Sequence, residues 1–305
     1  MSVNPFEADP HVASRLQRYG AERAGALTQA VVPFLQAGIL SAEAAAELVQ
    51  RFDLADVSDL MLLLLPLARS RARPPISRFQ VGAIGLEADS GDLIFGQNVE
   101  FPGTHLGLTV HGETCLATRA FHRGTRLAVI ALGEAHPCAH CRQFLSEFAG
   151  SDGLALIDPL GHRLTLGQLY PWPFDPAYLG QSGAVAGRDH WPNLTPLAPM
   201  DPALLAAGKR AHTPYSGCPS AVLLGMRNGS SVAGSAIESV AFNPSMGPLQ
   251  AALIEALARR HDYDEIASVT LAQVLGGAVD HAAGTADLLA RIAPQAPLHV
   301  QGWTV

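Results

Sequence analysis

The sequence predicts an α/β protein, a mixed sheet covered by helices, present twice behind a small helical N-terminal domain. Three observations predict it. Residues 1–55 are rich in helix formers broken by Gly20 and Gly38. From about Asp56, helical periods alternate with short apolar strands. Residues 68–86 are then echoed by 207–224, each with a helix end, a proline, a serine two residues later and a strand. Gly96-Gln97-Asn98-Val99-Glu100 is likewise echoed by Gly234-Ser235-Ala236-Ile237-Glu238, as an old duplication would leave it. The domains expected are 1–55, 56–180 and 181–305.

In chain order, 12–19, 24–35 and 41–52 are expected as helices, with Ser41 as a helix start. A helix over 59–71 ends at Pro74-Pro75 and its basic residues Arg69, Arg71 and Arg73 form a solvated end. Strands over 79–86 and 93–99 are joined by a turn at Ser90-Gly91. A helix over 109–121, a strand over 127–132, a helix over 138–148 and a strand over 154–157 complete the first unit.

Composition narrows the function. The 305 residues are 48% hydrophobic and 15% charged, an ordinary globular balance. With 27 acidic against 20 basic residues the net charge is −7, which repels phosphate backbones and makes a nucleic-acid polymer a poor partner. No export signal is expected at the N-terminus, and the apolar run 60–67 is far shorter than the about 20 residues of a membrane span. The cysteines are Cys115, Cys138, Cys141 and Cys218. Without an export signal, the C-x-x-C pair points to metal or redox chemistry rather than a structural disulfide.

The chemistry is concentrated in His111-Gly112-Glu113 and, 23 residues on, Pro137-Cys138-Ala139-His140-Cys141. One imidazole and two thiolates suit zinc. Cys138 and Cys141, three apart, share one side of a helix's first turn, which Pro137 pre-sets. The helix N-terminus favours their thiolates. Three protein ligands leave the fourth tetrahedral position to water, and Glu113, two residues past a ligand, can stand beside that water and move protons. A closed structural site, with His136 as fourth ligand, is the competing reading; His140 faces elsewhere on the helix. Cys115 and Cys218 are expected to be small buried residues.

H-x-E followed by P-C-x-x-C is the signature of zinc nucleobase deaminases. With Ser77-Arg78-Phe79-Gln80-Val81-Gly82-Ala83, Gly96 to Phe101, Cys141-Arg142-Gln143-Phe144, Phe242-Asn243-Pro244 and Pro248-Leu249-Gln250, the chain resembles the larger, homodimeric cytidine deaminases. That resemblance covers most of the chain. It implies a cytidine-deaminase-like fold with a degenerate, zinc-free second copy, one zinc per chain, a homodimer and a cytoplasmic role in pyrimidine salvage. The implied reaction is hydrolysis of cytidine and 2′-deoxycytidine by zinc-activated water, with His111, Cys138 and Cys141 as ligands and Glu113 as the catalytic residue. Phe79 resembles the aromatic that packs on the pyrimidine. Asn98 and Glu100 resemble the pair that bonds the ribose 3′-hydroxyl, and Phe174 the aromatic lent by the neighbouring subunit.

Two departures bear on specificity. Gly112 stands where the family usually has alanine; its N–H is expected to meet the pyrimidine O2, with a little added space. Ala135-His136 precede Pro137, and a backbone carbonyl there is expected to meet the exocyclic amine, leaving N4-modified cytidines as an alternative substrate class. In the second copy, Leu249 is expected opposite His111 and Ala251 opposite Glu113. A non-catalytic zinc-binding protein is the remaining alternative.

Overall fold

Asp9 caps the first helix, α1 (Pro10–Val31), by accepting the His11 N–H, and Pro10 supplies a preset first turn. Gly20, at φ 68°, breaks the helical path inside it, as the sequence suggested. Ser41 caps α2 (Ala42–Arg51) and Asp56 caps α3 (Val57–Arg69). The computed structural model describes residues 6–133 and 136–305.

These helices cover one face of a six-stranded sheet in the order β1-β3-β2-β4-β5-β6. The strands are β1 (Ile39–Leu40), β2 (Gly82–Glu87), β3 (Leu93–Gln97), β4 (Leu127–Leu132), β5 (Ala155–Ile157) and β6 (Arg163–Thr165). All neighbours are antiparallel except β4 and β5. Helix α4 (Gly112–Arg123) covers the other face. Strand alternation sorts the side chains between the faces. Ile84, Phe95, Val129 and Ala131 join the α1–α3 core, while Ala83, Ile94, Ile130 and Leu132 join the α4 core. Helices α5 (Ala139–Leu145) and α6 (Leu166–Leu169) finish this unit.

The second half repeats the plan: α7 (Pro202–Arg210), β8 (Ser220–Met226), β9 (Ser231–Ser235), α8 (Pro248–Ala258), β10 (Ile266–Val274), α9 (Ala282–Ile292) and β11 (Leu298–Thr304). With β7 (Thr195–Pro196), its sheet runs β7-β11-β10-β8-β9. The order β3-β2-β4-β5 thus recurs as β9-β8-β10-β11, with the parallel pair in the same place. Gly96 and Gly234 occupy equivalent positions: a Cβ at Gly96 would stand 2.8 Å from the Gly112 carbonyl oxygen, and one at Gly234 2.2 Å from the Ala252 nitrogen. Only glycine lets a helix approach the strand so closely.

Several expectations are corrected. The strand anticipated from Phe79 begins at Gly82, because 74–78 close a turn with Arg78 in the left-handed region at φ 57°. The helix anticipated over 109–121 begins only after His111. Arg71 and Arg73 are half-buried rather than a solvated helix end: Arg71 lies over the Phe95 ring and Arg73 pairs with Asp262 at 2.7 Å. In the second repeat, Val110 bridges Val99 as Met246 bridges Ile237. That aligns Gly247 with His111 and Leu249 with Glu113, two residues off the sequence-based alignment. Among the described residues, no helix is long and apolar enough to cross a membrane.

Candidate active site

His111 occupies the N-cap of α4 and Cys138 the N-cap of α5, so two helix starts meet. Each is fixed locally. The His111 N–H donates to Thr114 Oγ1 (3.1 Å), and the Cys141 N–H donates to Cys138 Sγ (3.5 Å). Arg142 pins the approach to α5 by donating to the Pro137 carbonyl (2.8 Å) and the Leu169 carbonyl (3.0 Å).

Three ligand atoms converge. His111 Nδ1 lies 3.2 Å from Cys141 Sγ and 3.5 Å from Cys138 Sγ, and the two sulfurs are 3.5 Å apart. The cysteines are free thiols. Tetrahedral zinc with ordinary Zn–S and Zn–N bonds needs edges of about 3.5–3.8 Å, so the trio fits the ion with shifts of a few tenths of an ångström. His136 stands outside this group; its Nε2 is 3.3 Å from Asp158 Oδ2. That removes it from the position of fourth ligand which the closed-site reading gave it. His140 also turns elsewhere, its Nε2 meeting the Asn243 carbonyl at 3.2 Å.

The electrostatics favour cation binding. Hydrogen bonds from Cys141 and His111 hold the Cys138 thiol down to about 3. The bond to Cys138, with burial, pushes Cys141 up. The opposite directions arise because one proton is shared between two sulfurs, and a cation in its place serves both thiolates. Glu113 is 4% exposed, and its carboxyl bonds toward Cys141. Burial raises its pKa, a shift that would suit a general acid–base group.

The other residues singled out in the sequence have the following partners. The bridge between Val99 and Val110 sets Glu100 beside the chain entering His111. Glu100 Oε2 accepts the N–H groups of Ile76 and Ser77 (2.9 Å each), and Oε1 accepts the Ser77 hydroxyl at 2.5 Å. Asn98 Oδ1 accepts the Val81 N–H and its Nδ2 donates to the Phe79 carbonyl. Both residues therefore hold the segment 76–81, which presents Phe79 half-exposed. At Gly112 a Cβ would meet the Ala83 Cβ at 3.2 Å and Val81 at 3.6 Å. Phe174 is tied to α5 through Gln143, and its ring stacks on Tyr178 at 5.6 Å. Ala135 lies outside the described residues. Sequence reasoning gave no part to Ser77, whose hydroxyl supports Glu100, or to Arg142, although both stand inside motifs it singled out.

The second repeat keeps the carboxylate cradle but not the His-Cys-Cys trio. Glu238 Oε2 accepts the Tyr215 and Ser216 N–H groups, as Glu100 does at Ile76 and Ser77. Among the described residues, no metal-spaced group lies beyond residue 162. Cys115 and Cys218 are buried, as expected.

Residues 56–153 match the family described as cytidine and deoxycytidylate deaminase zinc-binding region, and residues 182–286 match a second family of the same description. A cytidine deaminase of Aliivibrio fischeri is 35% identical over 93% of this chain and 96% of its own length. One from Vibrio atlanticus is 36% identical, covering 85% and 88%, and one from Yersinia pestis is 39% identical, covering 79% and 83%. By the three converging ligands, the duplicated sheet and these relatives, the chain belongs to the cytidine deaminase family.

Proposed function

We propose that the chain hydrolyses cytidine and 2′-deoxycytidine to uridine and 2′-deoxyuridine with release of ammonia, using one catalytic zinc ion per chain. The observation that carries this reading is the approach of His111, Cys138 and Cys141 to within 3.2–3.5 Å of one another beside buried Glu113. Those three residues hold the ion, which when bound acts as a Lewis acid and lowers the pKa of water to about 7. Glu113 takes the proton of the attacking water, passes one to ring N3 and delivers one to the departing amine. Water adds at C4 and ammonia leaves, so the step balances without any other reactant.

Phe79 packs on the pyrimidine, the Gly112 N–H meets O2, and the backbone at His136 meets the exocyclic amine. Asn98 and Glu100 bond the 3′-hydroxyl. Each carboxylate oxygen has more than one lone pair, so Glu100 keeps acceptor capacity while it holds Ile76 and Ser77. Phe174 closes the pocket of a neighbouring subunit in a homodimer. Trp172 at 83%, Tyr178 at 62% and Phe174 at 42% exposure support burial of this loop against a second copy. A cytoplasmic salvage enzyme acting on a free nucleoside, not on nucleic acid, agrees with the −7 charge.

Purified zinc-loaded protein incubated with cytidine loses the substrate's absorbance and releases ammonia. No turnover with zinc bound contradicts the proposal, and a preference for free cytosine over cytidine contradicts the roles of Asn98 and Glu100.

A further inference from the structure

Beside the proposed active site, and apart from its His-Cys-Cys trio, three more ligand types converge. His136 Nε2 and His162 Nδ1 lie 3.3 and 2.7 Å from Asp158 Oδ2, and all three atoms fall within 4.8 Å of one another. We propose that His136, Asp158 and His162 form a second cation site, for a zinc-class divalent transition metal, at the approach to the catalytic helix.

Two of the three ligands are built into one tight turn. Strands β5 and β6 pair from Ile157 with Arg163, and Gly161, at φ 99°, closes the turn between them. The Gly161 N–H donates to the Asp158 carbonyl and the Asp9 N–H donates to the Gly161 carbonyl, which anchors the turn against the start of α1. Asp158 is 6% exposed. Its Oδ1 is taken by the N–H groups of Leu160 (2.9 Å) and His162 (3.1 Å). Backbone donors on one oxygen thus aim the other at the imidazoles, the support that metal-binding carboxylates receive. The two imidazoles stand edge to face with centroids 6.0 Å apart, and they are partly exposed, so the site opens to solvent.

The donor set selects the ion. Two imidazoles and one carboxylate suit zinc, nickel, cobalt or iron(II), whereas magnesium and calcium prefer all-oxygen cages. Metal–nitrogen and metal–oxygen bonds of about 2.0–2.2 Å require ligand edges of about 2.9–3.4 Å. The observed 3.3 Å already fits, and the 2.7 Å contact opens by a few tenths of an ångström as the ion replaces the shared proton. His136 lies two residues before Cys138, so an ion here ties the lead-in of the catalytic cysteines to the β5–β6 turn.

The test is metal stoichiometry of the full chain after equilibration with micromolar zinc, repeated with cobalt(II). Wild type is expected to hold two ions per chain. His162→Ala and His162→Gln are each expected to hold one, with the thiolate-to-cobalt charge-transfer band of the Cys138–Cys141 site unchanged. The glutamine variant retains polar contacts in the turn should alanine unfold it. A wild-type chain that binds one ion and shows the thiolate band overturns the proposal, as does a folded His162 variant that still binds two. Loss of the thiolate band from wild type would instead contradict the catalytic-zinc reading, which keeps the two failures distinct.

Discussion

At the residue scale, the proposed chemistry depends on where Glu113 sits. It is held on the first turn of α4, two residues past His111, and buried against Cys141. A carboxylate on a solvated helix face would be ionised and short-lived as a proton donor; burial raises the affinity of Glu113 for a proton. Glu113→Ala is expected to bind zinc as wild type does and to lose a factor of about 10²–10⁴ in kcat, the usual worth of general acid–base catalysis. Metal analysis beside steady-state kinetics checks this. A variant retaining most of the activity would remove Glu113 from the reaction. The ligand trio was legible in sequence because its spacing alone fixes two cysteines on one helical turn. The partners of Asn98 and Glu100 were not legible, because a turn with a left-handed Arg78 folds 76–81 back onto them.

At the element scale, α1 is fastened to α3 by one buried carboxylate. Asp59 is fully buried and accepts from Arg15 Nε (2.7 Å), Arg15 Nη2 (2.8 Å) and Tyr19 Oη (2.7 Å). Burial alone would raise its pKa, but the bonds from Arg15 and Tyr19 outweigh it and the value is lowered. A depressed carboxylate contributes stability above the unfolded value near 4 and loses it as pH falls through the folded value. Asp59→Asn is expected to cost about 1–3 kcal/mol at neutral pH by denaturant unfolding, with the gap to wild type closing in acid below the folded pKa. A gap that stays constant with pH would contradict the ion pair's role. The long elements were readable from hydrophobic period, the cap at Ser41 and the break at Gly20. The three-residue β6 and four-residue α6 were not, since neither completes a period. The alignment slip in the second copy has a similar origin. Nine residues separate Glu100 from Val110, but only seven separate Glu238 from Met246, so a gap-free reading displaces α8.

At the scale of the whole molecule, the two repeats share one interior. Leu116, Ala120 and Phe121 of α4 belong to the same apolar core as Leu249, Leu253 and Ile254 of α8. Polar ties cross the same boundary. Buried Arg119 pairs with Glu255 at 3.2 Å, and fully buried Glu147, just beyond α5, accepts from His212, Tyr215 and the Val240 N–H. The second copy, held in this arrangement, supports the helix that carries Cys138 and Cys141. The chain is therefore expected to unfold in a single transition, coincident by far-ultraviolet dichroism, intrinsic fluorescence and release of catalytic zinc. Two separated transitions would mean that the repeats are independent. Duplication was readable from short matched strings. The shared core was not, because sequence similarity between repeats says nothing of how they pack.

The proposed reaction needs a catalytic ion held by three protein atoms and one solvent molecule. A crystal structure of the zinc-loaded chain tests it most directly, with anomalous scattering to place the metal. The expected result is zinc about 2.3 Å from Cys138 Sγ and Cys141 Sγ, about 2.0–2.1 Å from His111 Nδ1, and a water as fourth ligand beside Glu113. A fourth ligand supplied by the protein, or the two sulfurs bonded to each other with no ion between them, would contradict it.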